Sequence, residues 1–104
     1  MELCWAKYQN SSHSKYLLLV ILGESDDKVV CLDATTMAQE DKEYIRMHSI
    51  ELDKLTVEEK INTIKEGRPE LIKYYRVIFN NRLFIYKRYT INATVPSDQQ
   101  SPQV

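Results

Sequence analysis

Cations and flat rings interleave near the end of this chain: Lys73, Arg76, Arg82, Lys87 and Arg88 alternate with Tyr74, Tyr75, Phe84, Tyr86 and Tyr89. The mixture suits phosphate contact combined with stacking on exposed bases, the chemistry of a nucleic-acid surface. Net charge is divided along the chain in the same sense. Residues 1–59 hold six basic and twelve acidic side chains, residues 60–90 hold eight basic and two acidic, and the 104-residue total is −1. A basic C-terminal surface that meets nucleic acid or an acidic protein surface is therefore expected, with Lys73, Tyr74, Arg76, Arg82, Tyr86, Lys87 and Arg88 as its contacts. Docking of the basic segment onto the chain's own acidic half explains the division equally well.

The remaining reactive side chains are scattered. His13 and Lys15 offer an acid/base group near neutral pKa beside a cation, the minimum for cleaving RNA, but a single loop histidine is ordinarily solvated. His13, His48, Cys4 and Cys31 are zinc-ligand types without the close spacing of a preformed site. Asp26-Asp27 and Glu40-Asp41 with Glu43 lie in polar breaks where carboxylates are normally hydrated. Gly23 and Gly67 are the only glycines, too few for a phosphate-cradling loop. No catalytic residue, metal or cofactor is expected.

The elements that position these residues change period midway. Alternation over Glu2 to Gln9, the polar stretch 10–14, and the apolar run Tyr16 to Leu22 predict a hairpin. Lys28 to Ala34 reads as a third strand, Thr35 to Glu43 as a loop or single helical turn, and Tyr44 to Leu52 as a fourth strand. Thr56-Val57-Glu58-Glu59 is a capping box, Val57, Ile61 and Ile64 recur at helical spacing, and Gly67 suits a left-handed closing residue. Pro69 opens a second helix with Leu71, Ile72, Tyr75, Ile78, Phe79, Leu83 and Tyr86 on one stripe. In that helix Lys73, Arg76, Asn80 and Lys87 share the opposite face. A hairpin turning at Asn80-Asn81 competes for residues 74–89, and helix is the preferred reading.

Composition, 43% hydrophobic and 28% charged, fits one core in one domain. The domain is expected over residues 1–91, a β-barrel in 1–55 and a helical segment in 56–91, with 92–104 a flexible tail. The longest apolar run, Leu17 to Leu22, is far short of the roughly 18 residues that cross a bilayer. The expectation is no membrane contact, reduced thiols at Cys4 and Cys31, and an intracellular setting, cytoplasmic or nuclear.

Leu3-Cys4-Trp5-Ala6-Lys7 opening a strand, followed by a polar loop, an apolar strand and two further strands, resembles the start of SH3-like small barrels. Among these, the PWWP group of chromatin readers, relatives of the Tudor domains, opens with a strand of the form Leu-Val-Trp-Ala-Lys. That resemblance implies an aromatic cage for methyl-lysine, for which Trp5, Tyr8 and Tyr16 are the candidates. The aromatic-proline element of that family is replaced here by Tyr16-Leu17-Leu18-Leu19. MazF/PemK-like ribonuclease toxins also begin with a Trp-containing strand and carry a Thr-rich segment similar to Ala34-Thr35-Thr36, but their loop Gly and Arg-Pro pair are missing between Asn10 and Lys15. The expected protein is thus α+β, a small SH3-like antiparallel barrel with one or two C-terminal helices, acting as a non-enzymatic binding module. A toxin-like endoribonuclease and a small inhibitor of a macromolecular target are the alternatives.

Overall fold

The computed structural model describes residues 1–9 and 15–91. Strands β1 (Glu2–Tyr8), β2 (Leu17–Glu24) and β3 (Lys28–Asp33) come first. Helices α1 (Gln39–Met47), α2 (Ser49–Asp53) and α3 (Val57–Gly67) follow with a 3₁₀ turn, Pro69–Tyr74, and then β4 (Tyr75–Phe79), a 3₁₀ turn, Asn80–Arg82, and β5 (Leu83–Thr90). The five strands form one sheet in the order β4-β3-β2-β1-β5, and every neighbouring pair is antiparallel. The class is α+β, as expected, with two corrections to the arrangement. The helices are inserted between β3 and β4 rather than placed after the sheet, and the sheet is open, with β4 and β5 as its edges.

Two segments differ from their sequence reading. Residues 44–52 are helical, because the buried positions Asp41, Ile45, Ser49 and Leu52 recur every three or four residues while Met47 is exposed. Residues 75–90 are two strands around Asn80–Arg82, which overturns the preferred helix, yet they are not the competing hairpin either, since β4 pairs with β3 and β5 with β1 at opposite edges of the sheet. The turn is pinned from outside: Asn80 donates its backbone N–H to the Asp27 carbonyl (2.8 Å) and its amide nitrogen to the Ser25 and Asp26 carbonyls (both 3.1 Å). With that anchor the branched and aromatic residues on either side take up strand conformation, which their shapes favour. The expected tail, 92–104, lies outside the described residues.

Both faces of the sheet are buried, by different means. On one face Val20, Leu22 and Leu32 pack beneath Ile45, Leu52, Ile64 and Leu71 of the helical layer, with Met1 and Met37 completing the cluster. On the other, Cys4, Ala6, Leu19, Ile21, Val29, Cys31, Ile78 and Leu83 form a second cluster to which no helix contributes. Those residues are shielded because the sheet bends over them, and side chains as small as Cys4 and Ala6 on β1 leave room for the bend. Ile78 on one edge strand and Leu83 on the other belong to this cluster, so the three-residue turn between them draws the two edges together. The inner face is barrel-like even though no hydrogen-bonded seam closes it.

The helical layer is locked by specific contacts. In α3 the Thr56 hydroxyl accepts from Glu59 N–H (3.2 Å) while the Glu59 carboxylate accepts from Thr56 N–H (2.9 Å), the expected capping box. Buried Asp41 at the start of α1 pairs with Arg68 beyond α3 (3.0 Å), and the Arg68 guanidinium lies 5.3 Å from the Tyr44 ring centroid. Gly67 does not have a positive φ, which corrects its expected left-handed role. It makes room instead, since a Cβ there would stand 2.2 Å from the Tyr44 hydroxyl. Gly23 does the same for Val57: a Cβ on β2 would meet Val57 Cγ2 at 2.3 Å.

Gly23→Ala is therefore expected to destabilise the domain by about 1–3 kcal/mol, an overpacking penalty, read as a fall in thermal midpoint of roughly 4–8 °C per kcal/mol. The loss should shrink in a Val57→Ala background, where the collision is removed; equal losses in both backgrounds would locate the cost elsewhere. Cys4 and Cys31 are free and fully buried, and burial pushes the Cys31 thiol up to about 12. Neither should react with a thiol reagent at pH 8 until denaturant unfolds the chain.

Candidate nucleic-acid interface

The helical core takes in Met1 and Leu3 at the start of β1 but not Trp5 or Lys7 further along it. Leu3, Trp5 and Lys7 alternate on the outer face of β1, opposite to Cys4 and Ala6, and their register partners there are Tyr89, Lys87 and Phe84. Between Trp5 and Ala6 the register on β5 jumps from Lys87 to Ile85, leaving Tyr86 as the extra residue of a β-bulge. A bulge re-aims the side chain it releases. Tyr86 is 62% exposed, and its ring stands 5.3 Å from that of Tyr16 at an interplanar angle of 55°. Trp5, Tyr16, Tyr86 and Tyr89 together line an open cleft of about 390 Å³.

Two ammonium groups sit against these rings. Lys7 Nζ is 5.3 Å from the Tyr16 centroid and Lys87 Nζ is 5.2 Å from that of Tyr89, both within cation–π range. Arg88, one residue on, points to the inner face as the register partner of Cys4. There it donates to Glu2 (2.8 Å) and, in a two-bonded fork, to Glu24 (2.7 and 2.9 Å). The fork holds the Glu24 carboxyl below its usual range, while the same carboxylates raise the pKa of Arg88. Arg88 is thus satisfied by the acidic half of the chain, as self-docking of the charges requires, and is not a free cation.

The seven contacts expected near the C-terminus do not form one cluster. Lys73, Tyr74 and Arg76 lie at the β4 edge, and Lys87 and Arg88 lie on β5, at the opposite edge of the sheet. Lys73 rests 5.1 Å from the Tyr74 centroid, Tyr74 is half-buried against the helical core, and Arg76 donates to the Lys73 and Tyr75 carbonyls (3.1 and 2.8 Å). Arg82, in the connecting turn, borders an open hollow beside Asp26 and Asp27. Of the cage candidates, Trp5 and Tyr16 line one cleft, whereas Tyr8 shares the face of Cys4 and Ala6 and pairs with Leu83, away from the cleft. His13 lies outside the described residues. Lys7 and Tyr89 were not among the predicted contacts: their place beside Trp5 and Tyr86 follows from a strand register linking residues more than eighty positions apart.

No family model, curated protein or solved structure matches the chain.

The Arg88 fork has a definite pH signature. Because the folded Glu24 pKa is depressed, its contribution to stability is complete above the unfolded value, near 4.5, and is lost as pH falls through the lower folded value. Urea midpoints of the native chain and of Glu24→Gln should differ at pH 7, and the difference should shrink as pH falls from about 4.5 into the acid range; a constant difference down through that range would show that the carboxylate charge is not what the fork uses.

Proposed function

We propose that this chain is a non-enzymatic module that binds single-stranded nucleic acid across the β1–β5 end of its sheet. The reading is carried by one observation, the cleft of four rings, Trp5, Tyr16, Tyr86 and Tyr89, bordered by Lys7 and Lys87. Every base has a flat π-face, so rings bind unpaired bases without regard to sequence, and the lysines neutralise the phosphates that connect them. A duplex hides its base faces and gains nothing from such rings. An acidic protein surface would use the lysines and leave the exposed aromatic area unexplained.

The same rings suit a methyl-lysine cage less well. Ammonium groups of the chain itself already lie over Tyr16 and Tyr89, so an incoming cation would meet like charges where it needs an open ring face. Cleavage of RNA also fits poorly with the described residues. His48 stacks on Tyr44 (4.3 Å between centroids) and its Nδ1 lies 2.8 Å from the Tyr44 carbonyl, within the helical layer and not at the cleft.

Trp5 is the sole tryptophan and reports directly on the cleft. Titration with oligo(dT) or oligo(U) at low salt should quench its emission, and log K should fall with log salt by about 0.7 for each phosphate neutralised. Lys7→Ala and Lys87→Ala should each flatten that slope by about the same amount, and Tyr86→Ala should weaken binding by about 1–3 kcal/mol. Unchanged Trp5 emission together with unshifted oligonucleotide in a low-salt gel would reject the proposal, as would equal losses in Lys87→Ala and Arg76→Ala.

A further inference from the structure

The aromatic cleft does not end at Trp5. On the same outer face Leu18 is the register partner of Trp5, Leu3 that of Tyr89, and Val20 that of Leu3. These three aliphatic side chains floor a slot whose opposite wall is Ile45 of α1, with a volume of about 170 Å³. The slot and the cleft are therefore adjacent parts of one surface, the first apolar and recessed, the second aromatic and open.

We infer that the slot takes one unstacked pyrimidine base of the strand whose neighbours stack in the cleft, and so gives the interface a preference for thymine, uracil or cytosine over purines. The inference rests on the single-strand reading above and adds a base preference to it. Size carries the first part of the argument: an apolar cavity of about 150 Å³ accepts a benzene ring, so a slot of this volume accepts one six-membered ring and crowds the fused pair of a purine. The chemistry of the mouth carries the second. Gln39, which both donates and accepts through its amide, and Lys42 stand at the rim beside the Glu43–Arg46 ion pair. An apolar floor suits the ring faces, and the amide can pair with the carbonyl and N–H edge that a pyrimidine turns outward. Lys42, at the rim of the slot, supplies a cation for the phosphate that follows. Continuity with the cleft also selects the occupant, because a strand laid across Tyr86 and Trp5 delivers its next base to Leu18.

The test uses labelled oligonucleotides of about twelve nucleotides, within the span of one small binding domain, in DNA and RNA forms: oligo(dT), oligo(dA), oligo(U), oligo(A), and an oligo(dA) carrying one central dT. Fluorescence anisotropy should show oligo(dT) and oligo(U) binding about tenfold more tightly than their purine counterparts, the scale of one base's stacking. The single dT should recover most of that difference, since there is one slot. Ala34→Met, which fills the slot, should bring pyrimidine affinity down to the purine level. Ala34 is buried, so should that variant not fold, Gln39→Ala at the exposed rim decides the matter by lowering the pyrimidine-to-purine ratio. Tight binding of all homopolymers with equal affinity, or a pyrimidine preference that survives the slot variants, overturns the inference and leaves the single-strand reading intact. Binding of none of them removes both.

Discussion

A five-stranded sheet with helices on only one side has two apolar faces to bury and one layer to do it with. This constraint governs the molecule. The face without helices, Cys4, Ala6, Leu19, Ile21, Val29, Cys31, Ile78 and Leu83, is shielded by bending the sheet over itself. Bending requires small residues on β1, edge strands brought near one another by the short turn Asn80–Arg82, and the Arg88 fork to Glu2 and Glu24 across the end of the inner face. Removing an apolar residue from that inner cluster leaves no neighbouring helix to settle into the gap.

The same geometry explains where the exposed aromatic surface comes from. Helices α1 to α3 are inserted between β3 and β4; they cover the outer face from β4 to β2 and reach β1 only at its start, where Met1 and Leu3 pack against them with Ile91, so Trp5 and Lys7 lie outside their core. A stable monomer ordinarily has polar side chains on such an uncovered stretch. Here it carries Trp5, Tyr16, Phe84, Tyr86 and Tyr89, several of them more than 40% exposed, and a bulge that frees Tyr86 from the ladder. Exposed rings grouped around two lysines give little to folding and are suited to contact with something else.

Much of the scaffold was legible in the sequence, and what was not depended on distant partners. Alternation identified β1, β2 and β3, and the Thr56–Glu59 box marked the start of α3, because each is decided within a few residues. The segment 44–52 was misread since Ile45, Met47 and Ser49 also alternate; the helical reading needed Asp41 to be buried, and its partner Arg68 is 27 positions away. Residues 74–89 carry a helical stripe and strand-forming side chains at once, and the choice fell to carbonyls of Ser25, Asp26 and Asp27 that hold Asn80. Of the candidate cleft, Trp5 and Tyr16 were named from the resemblance to aromatic-cage readers and Tyr86 and Lys87 from the interleaving of cations and rings, yet only the β1–β5 register brings the two groups together. Arg88, which composition grouped with the free cations, is claimed by carboxylates no local pattern reveals.

The central claim is that a strand of nucleic acid lies on Trp5, Tyr86 and Tyr89 and not along the basic β4 edge. Nuclear magnetic resonance of the isotope-labelled chain titrated with oligo(dT) tests it most directly. The account predicts that the Trp5 indole signal and the backbone amides of residues 5–7 and 85–89 shift together and saturate. Shifts confined to residues 73–77, or spread evenly over all lysines and arginines, would contradict it.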